Sequence, residues 1–187
     1  WMRIISGKNK GKKIIPPVDE NTRPLRDIVK ESIFNLVEHS NKFNVALKNS
    51  NILDLFSGSG SFGLECISRG AKQVTFIENY KEALKVLKKN IFNIQADEIS
   101  KVIEKSCFDY FNLNNKLSNK FNIIFLDPPY REKKINFLIE KIKEEKILDT
   151  NGILVIHRHK KDDVEITKKL KILDNRIYGI SKIIIGN

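Results

Sequence analysis

The segment Asp54-Leu55-Phe56-Ser57-Gly58-Ser59-Gly60-Ser61-Phe62-Gly63 constrains the fold of this chain more than any other stretch. It continues the apolar run that begins at Ile52 and leads into residues with helical spacing, so it reads as a strand-to-helix turn. Glycine lets the backbone turn sharply and lets a ligand approach the main chain. The helix that follows presents unpaired N–H groups and the positive end of its dipole. Gly58, Gly60 and Gly63 match G-x-G-x-x-G, and Glu78 ends the next apolar run, Gln73-Val74-Thr75-Phe76-Ile77. A carboxylate at that separation can accept hydrogen bonds from two ribose hydroxyls. The opening predicts an open, mostly parallel sheet with helices on both faces.

The rest of the chain agrees. Lys101-Val102-Ile103, Asn122-Ile123-Ile124-Phe125-Leu126 and Gly152-Ile153-Leu154-Val155-Ile156 read as further strands, the last two apolar enough to be covered on both faces. Ala83, Leu84, Leu87 and Ile91 mark one helix, and Ile135, Leu138, Ile139 and Ile142 another. Residues 172–178 and 180–185 are expected to form a closing antiparallel pair. Ahead of the glycine loop, Leu25, Ile28, Val29, Ile33 and Leu36 predict a helix with one buried stripe, Lys30 off that stripe and Arg26 at its edge. Arg3 to Ser6 and Lys12 to Ile15 predict a hairpin around the turn Gly7-Lys8-Asn9-Lys10-Gly11, stopped by Pro16-Pro17. The expected organisation is a basic hairpin over residues 2–18 and an α/β domain over 19–187, with Met2 as the native start.

Asp127-Pro128-Pro129-Tyr130 follows the fourth strand, and ligands of open α/β sheets bind beyond the carboxyl ends of strands. Consecutive prolines fix two φ angles and remove two N–H donors, leaving a stiff run of carbonyl oxygens. That suits an exocyclic amino group on a base, whose lone pair is delocalised into the ring. Hydrogen bonds from its two hydrogens to Asp127 and to the Pro128 carbonyl would hold the nitrogen pyramidal and more nucleophilic. Tyr130 could stack on the base. Asp54 bears on the cofactor. A carboxylate before the loop suits the ammonium of S-adenosylmethionine, directly or through water, and would repel the pyrophosphate of NAD. The alternatives are an NAD-dependent oxidoreductase, a methyltransferase for adenine N6 or a protein side-chain amide, and a non-catalytic RNA-binding module.

The formal net charge of +11 favours polyanionic partners, and the five bases between Met2 and Val18 (Arg3, Lys8, Lys10, Lys12 and Lys13), with no acid among them, localise it. Coding bias toward Lys, Ile and Asn is the other source of such a charge. Cys66 reads as a small core residue and Cys107 as a lining of the adenine pocket; two cysteines give no disulfide framework, and no metal set is apparent. His157 and His159 follow the fifth strand and read as a solvated loop, with the active-site rim or RNA as the other reading. No apolar run is long enough to span a bilayer, and a cytoplasmic monomer is expected.

Taken together, these motifs resemble the RsmD family of bacterial 16S ribosomal RNA guanine-N2 methyltransferases. The likeness runs from Met2-Arg3-Ile4-Ile5-Ser6-Gly7 through Gly11-Lys12-Lys13 to Arg23-Pro24 with Asp27, Val29, Lys30, Glu31, Phe34 and Asn35. It continues through the cofactor loop with Gly63-Leu64-Glu65, Ser68-Arg69-Gly70-Ala71, Glu78, Asp127-Pro128-Pro129-Tyr130 and Tyr178-Gly179. The resemblance implies a Rossmann-like methyltransferase sheet, mostly parallel with an antiparallel closing strand. It implies a cofactor set of Asp54, Phe56, Ser57, Gly58, Ser59, Gly60, Glu78, Asn79 and Cys107, and a catalytic set of Asp127, Pro128, Pro129 and Tyr130. Arg3, Lys8, Lys10, Lys12, Lys13, Arg23 and Arg26 would approach the rRNA, free or within an assembling small subunit. Asn79 stands where many members carry Asp, and Ser106-Cys107 where an acidic residue often helps bind adenine.

Overall fold

The computed structural model of the chain describes residues 2–18, 25–112 and 119–187. Five strands are mutually parallel: β1 (Asn51–Leu55), β2 (Gln73–Ile77), β3 (Ser100–Ile103), β4 (Phe121–Leu126) and β5 (Leu148–His159). β7 (Ser181–Gly186) lies antiparallel between β5 and β6 (Ile172–Tyr178). The resulting seven-stranded order is β3-β2-β1-β4-β5-β7-β6. The sheet reverses direction of growth between β1 and β4, the switch point where such sheets open a crevice for ligands.

Side chains that alternate along each strand supply two cores. Ile52, Phe76, Ile123, Phe125, Ile153 and Val155 face one side, where α1 (Asp27–His39), α2 (Ser61–Ser68) and α3 (Lys81–Asn93) pack. Leu53, Leu55, Ile124, Leu126, Leu154 and Ile156 face the other, under α4 (Cys107–Asn112) and α5 (Ile135–Glu144). On the first side Phe34 stacks on Phe62 at 5.1 Å between centroids, and Phe62 on Phe125 at 4.0 Å, linking α1 through α2 to β4. Among the described residues no helix is long and apolar enough to cross a membrane.

Two features correct the sequence reading. α1 is turned on its axis: Ile28 is 69% exposed, Leu36 is only partly buried, and Lys30, Phe34 and Val37 are buried instead. The rotation brings Phe34 into the aromatic stack and gives the Lys30 ammonium its partners: the Arg3 carbonyl (2.6 Å), Ser61 Oγ (3.1 Å) and Glu65 Oε1 (3.5 Å). The N-terminal segment does turn back on itself, with Ile4 N–H donating to the Lys12 carbonyl and Ile14 N–H to that of Met2, but its only ladder bridge among the described residues is Arg3 with Lys13. Further bonds close the turn itself (Lys10 N–H to the Gly7 carbonyl, Gly11 N–H to that of Ile4 and Lys12 N–H to that of Asn9), and other main-chain groups are satisfied by the domain. Ile5 and Ser6 N–H donate to the Glu65 carboxylate, Lys8 N–H to the Ser68 carbonyl, and Ile15 N–H to Asn90 Oδ1. Met2, Ile4 and Ile14 join the first core.

Candidate active site

The chain leaves β1 through a left-handed turn. Phe56, Gly58 and Gly60 have φ of 57°, 56° and 87°. A bulky residue in that region is strained, and such strain persists where the surroundings impose it. Ser57 Oγ donates to the Asp54 carbonyl (2.7 Å), and Gly60 N–H to that of Ser57 (2.8 Å), which closes the turn onto the start of α2. At Gly63 an added Cβ would stand 2.3 Å from Phe76 Cε1, so the glycine there serves the close packing of α2 on β2.

The loop faces two carboxylates. Asp54, 1% exposed, accepts the Gly63 N–H on Oδ2 (3.2 Å). Burial pushes its carboxyl well above the usual carboxylate range against that hydrogen bond, and the charges of Asp127 and Glu78 push it further. Glu78, just past β2, accepts the Gly58 N–H on Oε1 and the Asn79 and Tyr80 N–H groups on Oε2, at 2.8–2.9 Å. It therefore closes the far side of the loop, and a carboxylate's four lone-pair directions leave it capacity for further donors.

Across the switch point, Asp127 follows β4. Its Oδ1 lies 2.9 Å from His157 Nδ1, and His157 Nε2 lies 2.8 Å from Ser181 Oγ. The proline loop is held from behind. Arg158, 2% exposed, donates from Nη1 to the Pro129 carbonyl and from Nη2 to those of Tyr130 and Glu132. It is fixed in turn by two bonds to the Asp162 carboxylate (2.9 and 3.1 Å). Burial alone would raise the Asp162 carboxyl, but Arg158 and Lys133 together carry it down to about 2. Tyr130, 46% exposed, meets His159 edge-on at 5.3 Å and has Lys133 Nζ 4.6 Å from its ring centre.

The glycine loop and the proline loop border one cavity of about 630 Å³, a size usual for small-molecule sites. Asp54, Phe56, Ser57, Gly58, Ser59, Glu78 and Asn79 line one wall, and Asp127, Pro128, Pro129 and Tyr130 another. Two expected cofactor residues are not among its lining. Gly60 meets Leu87 instead, where a Cβ would come within 2.5 Å of Cδ1, and Cys107 is buried beneath the loop, bonded to the Phe56 main chain, its thiol pushed up to about 12 by burial. Of the basic set, Lys8, Lys10, Lys12, Lys13 and Arg26 are exposed, and Arg3 is exposed beside Asp27 (3.5 Å). Arg23 lies outside the described residues. Pro17 and Leu25, which flank that segment, both border the cavity. No group of side chains suited to a metal ion occurs among the described residues.

The solvated loop expected at His157 and His159 is absent, and the other reading, the active-site rim, fits the structure: β5 runs on through His159, and His157, Arg158 and His159 all border the cavity. A signal was present. His-Arg-His directly continues the apolar run Ile153–Ile156 at the carboxyl end of a strand, where period two sends alternate residues to opposite faces.

Residues 2–187 match the family model described as Conserved hypothetical protein 95. The chain belongs to that family. Ribosomal RNA small subunit methyltransferase D of Haemophilus influenzae is 32% identical to it over 180 residues, 96% of this chain and 90% of that protein. The protein of the same name from Buchnera aphidicola is 33% identical over 175 residues, 93% of this chain and 86% of that one. The crystal structure of HI0767 from Haemophilus influenzae, described as a methylase, superposes with a TM-score of 0.77 at 31% identity, covering 99% of this chain and 97% of that one. The family is the one the sequence motifs resemble, and the sheet is the methyltransferase sheet that the resemblance implies.

Proposed function

We propose that the protein is an S-adenosylmethionine-dependent methyltransferase that modifies the exocyclic N2 of a guanine in 16S ribosomal RNA. One observation carries the reading: a single cavity brings the glycine loop, with Asp54 and Glu78, together with Asp127-Pro128-Pro129-Tyr130. The residues fit the cofactor. Asp54 and Glu78 put two carboxylates beside the glycine loop, with Asp127 across from them and the arginines of the lining, Arg131 and Arg158, on the proline-loop side; the glycine-loop side therefore favours an ammonium and a sulfonium and disfavours the pyrophosphate of NAD. The buried Asp54 carboxyl is the group that a ligand's ammonium would return to its ionised form.

In this reading Glu78 takes the ribose hydroxyls, the loop residues 56–59 border the methionine part, and Asn79 stands at the nucleoside end. Bound S-adenosylmethionine supplies an electrophilic methyl group on sulfur. Asp127 and the Pro128 carbonyl hold the two amino hydrogens of the base and set the nitrogen's lone pair toward the cofactor. Tyr130, exposed at the mouth, offers its ring to the extruded base. Asp127 also stands where the proton shed by the nitrogen can be received. Arg158 keeps the carbonyls of Pro129, Tyr130 and Glu132 in place. Rate acceleration then comes chiefly from positioning and fixed charge.

Residues 2–18 act as a basic appendage on the methyltransferase domain of residues 19–187, and with Arg23 and Arg26 they contact rRNA phosphates. In this reading the protein works as a monomer. The substrate is 16S rRNA, free or in an assembling subunit, and the cytoplasm is the compartment this implies. The test is methylation by labelled S-adenosylmethionine of rRNA from cells lacking the enzyme, with mapping of the modified base. The expected product is one N2-methylguanine in 16S rRNA, absent with Asp127→Ala. Label on an adenine, or full activity in that variant, overturns the assignment.

A further inference from the structure

The register of the sheet explains why a histidine meets the aspartate of the proline loop. Leu126 pairs with Ile156, so Asp127, the first residue past β4, stands beside His157, which is still within β5 and pairs with Ile183 of β7. Ser181 pairs with His159, two residues further on the same face as His157, and its hydroxyl reaches the other imidazole nitrogen. The histidine thus bridges the end of β4 to the start of β7 at 2.9 and 2.8 Å. Both members of the His157–Asp127 pair are largely shielded, with side chains 16% and 23% exposed.

The chemistry of the groups sets the direction of the first of these bonds, and the ring's protonation state that of the second. An ionised aspartate only accepts, so Nδ1 must carry the hydrogen. In the neutral ring Nε2 then accepts, and the Ser181 hydroxyl donates to it, which selects that tautomer. We propose that His157 is a positioning residue for methyl transfer: its Nδ1–H ties Asp127 Oδ1 to β5 and assigns Oδ2 to the substrate's amino group. This rests on the methyltransferase reading above. An aspartate carboxylate turns about two single bonds, Cα–Cβ and Cβ–Cγ, and few of its orientations grip an NH₂ group while Pro128 supplies the second acceptor. Proline fixes the backbone of that grip; the imidazole fixes its side chain.

A pair of amides separates this role from a merely structural one. The Nδ2 of an asparagine stands near the place of Nδ1, so His157→Asn can still donate to Asp127 but does not reach Ser181. The longer side chain in His157→Gln reaches toward Ser181 and gives up the Asp127 bond. Each variant and His157→Ala is assayed for methyl transfer at saturating S-adenosylmethionine and rRNA, with KM for both and a melting curve. The expected result is kcat lowered roughly 10- to 100-fold in His157→Ala and His157→Gln, the range for losing an oriented group. His157→Asn is expected to stay within about 3-fold of wild type because it keeps the charge-assisted bond. KM values are expected to hold throughout. Unchanged kcat in all three, or activity kept by Gln and lost by Asn, overturns the proposal while leaving the methyltransferase reading intact. A wild-type protein that transfers nothing to rRNA removes both.

Discussion

Lys30→Met tests the joint between the basic N-terminal segment and the cofactor loop. Methionine keeps most of the volume and removes the ammonium. In the native protein Lys30 Nζ donates to the Arg3 carbonyl and to Ser61 Oγ and stands 3.5 Å from Glu65, with both charged side chains fully buried. Hydrogen bonds from a charged donor each contribute about 1.5–3 kcal/mol net, and breaking one side of a buried pair costs about 3–5 kcal/mol. Two terms pull the expectation below that ceiling. Glu65 keeps the Arg69 Nε bond at 2.8 Å and the N–H groups of Ile5 and Ser6. The ammonium also sits at a disadvantage, since burial lowers its pKa below the ordinary 10.5 despite the pull of Glu65 and Asp27. A loss of roughly 2–4 kcal/mol remains, or about 4–16 °C in melting temperature for a chain of this length. Because a lysine with a lowered folded pKa binds fewer protons folded than unfolded, its contribution grows more favourable as pH rises toward 10.5, so the variant's deficit widens in that alkaline window. Thermal and urea melts measure the loss, and limited trypsin digestion at Lys8, Lys10 and Lys12 reports release of the segment. A melting temperature within a degree of wild type with no new cleavage refutes the idea that this buried charge fastens the segment to α2.

Two further outcomes follow from packing and charge. Gly63→Ala places a Cβ 2.3–2.9 Å from Phe76 and Val74, and these core side chains must move; a loss of about 1–3 kcal/mol by denaturant melt is expected, with weaker cofactor binding because α2 carries the loop. Asp162→Asn removes a carboxylate whose folded pKa of about 2 lies below its ordinary 3.8. Such a group stabilises the fold above the higher value and ceases to do so as pH falls through the lower one, so the variant is expected to be less stable at neutral pH by about 2 kcal/mol. The two proteins then converge on acidification through about pH 4 to 2, and a gap that stayed constant would contradict the assignment.

Most of the sheet was legible because it is written in local signals. Apolar runs as at Asn122–Leu126 and glycine at 58, 60 and 63 need no partner to be read. The long-range pairings were not. Lys30 looked like a surface residue because charge ordinarily faces water, and its burial makes sense only with Glu65, thirty-five positions on, and with the carbonyl of Arg3. The N-terminal ladder was over-read for the same reason: two apolar runs around a glycine turn predict strand pairing, while the side chains of Glu65 and Asn90 satisfy the same backbone groups better. On the proline-loop side of the cavity, the place of Asp127 and Tyr130 was readable from the tetrapeptide. Their supports were not, since His157 and Arg158 announce polarity where a strand is expected to have stopped.

The charges also divide by location. The chain is strongly cationic overall, yet on the glycine-loop side the cavity is lined by Asp54 and Glu78, with Asp127 facing them and Arg131 and Arg158 on the proline-loop side. A basic exterior suits a polyanionic substrate, and carboxylates beside the glycine loop suit a cationic cofactor. The division has a measurable consequence at Asp54. Its carboxyl is raised mainly by burial and then by Asp127 and Glu78, and an entering ammonium pulls it back toward the ionised form. Binding of S-adenosylmethionine should therefore release protons and tighten as pH rises through the shifted range of that carboxyl. Titration calorimetry in buffers of different ionisation heat measures the release directly. Asp54→Asn, which keeps the shape and loses the titration, should abolish the Asp54 share of it and weaken binding. If wild type and variant released the same number of protons, Asp54 would not be the group that answers the ligand's charge, and the electrostatic case for this cofactor over a dinucleotide would rest on Glu78 and Asp127 alone.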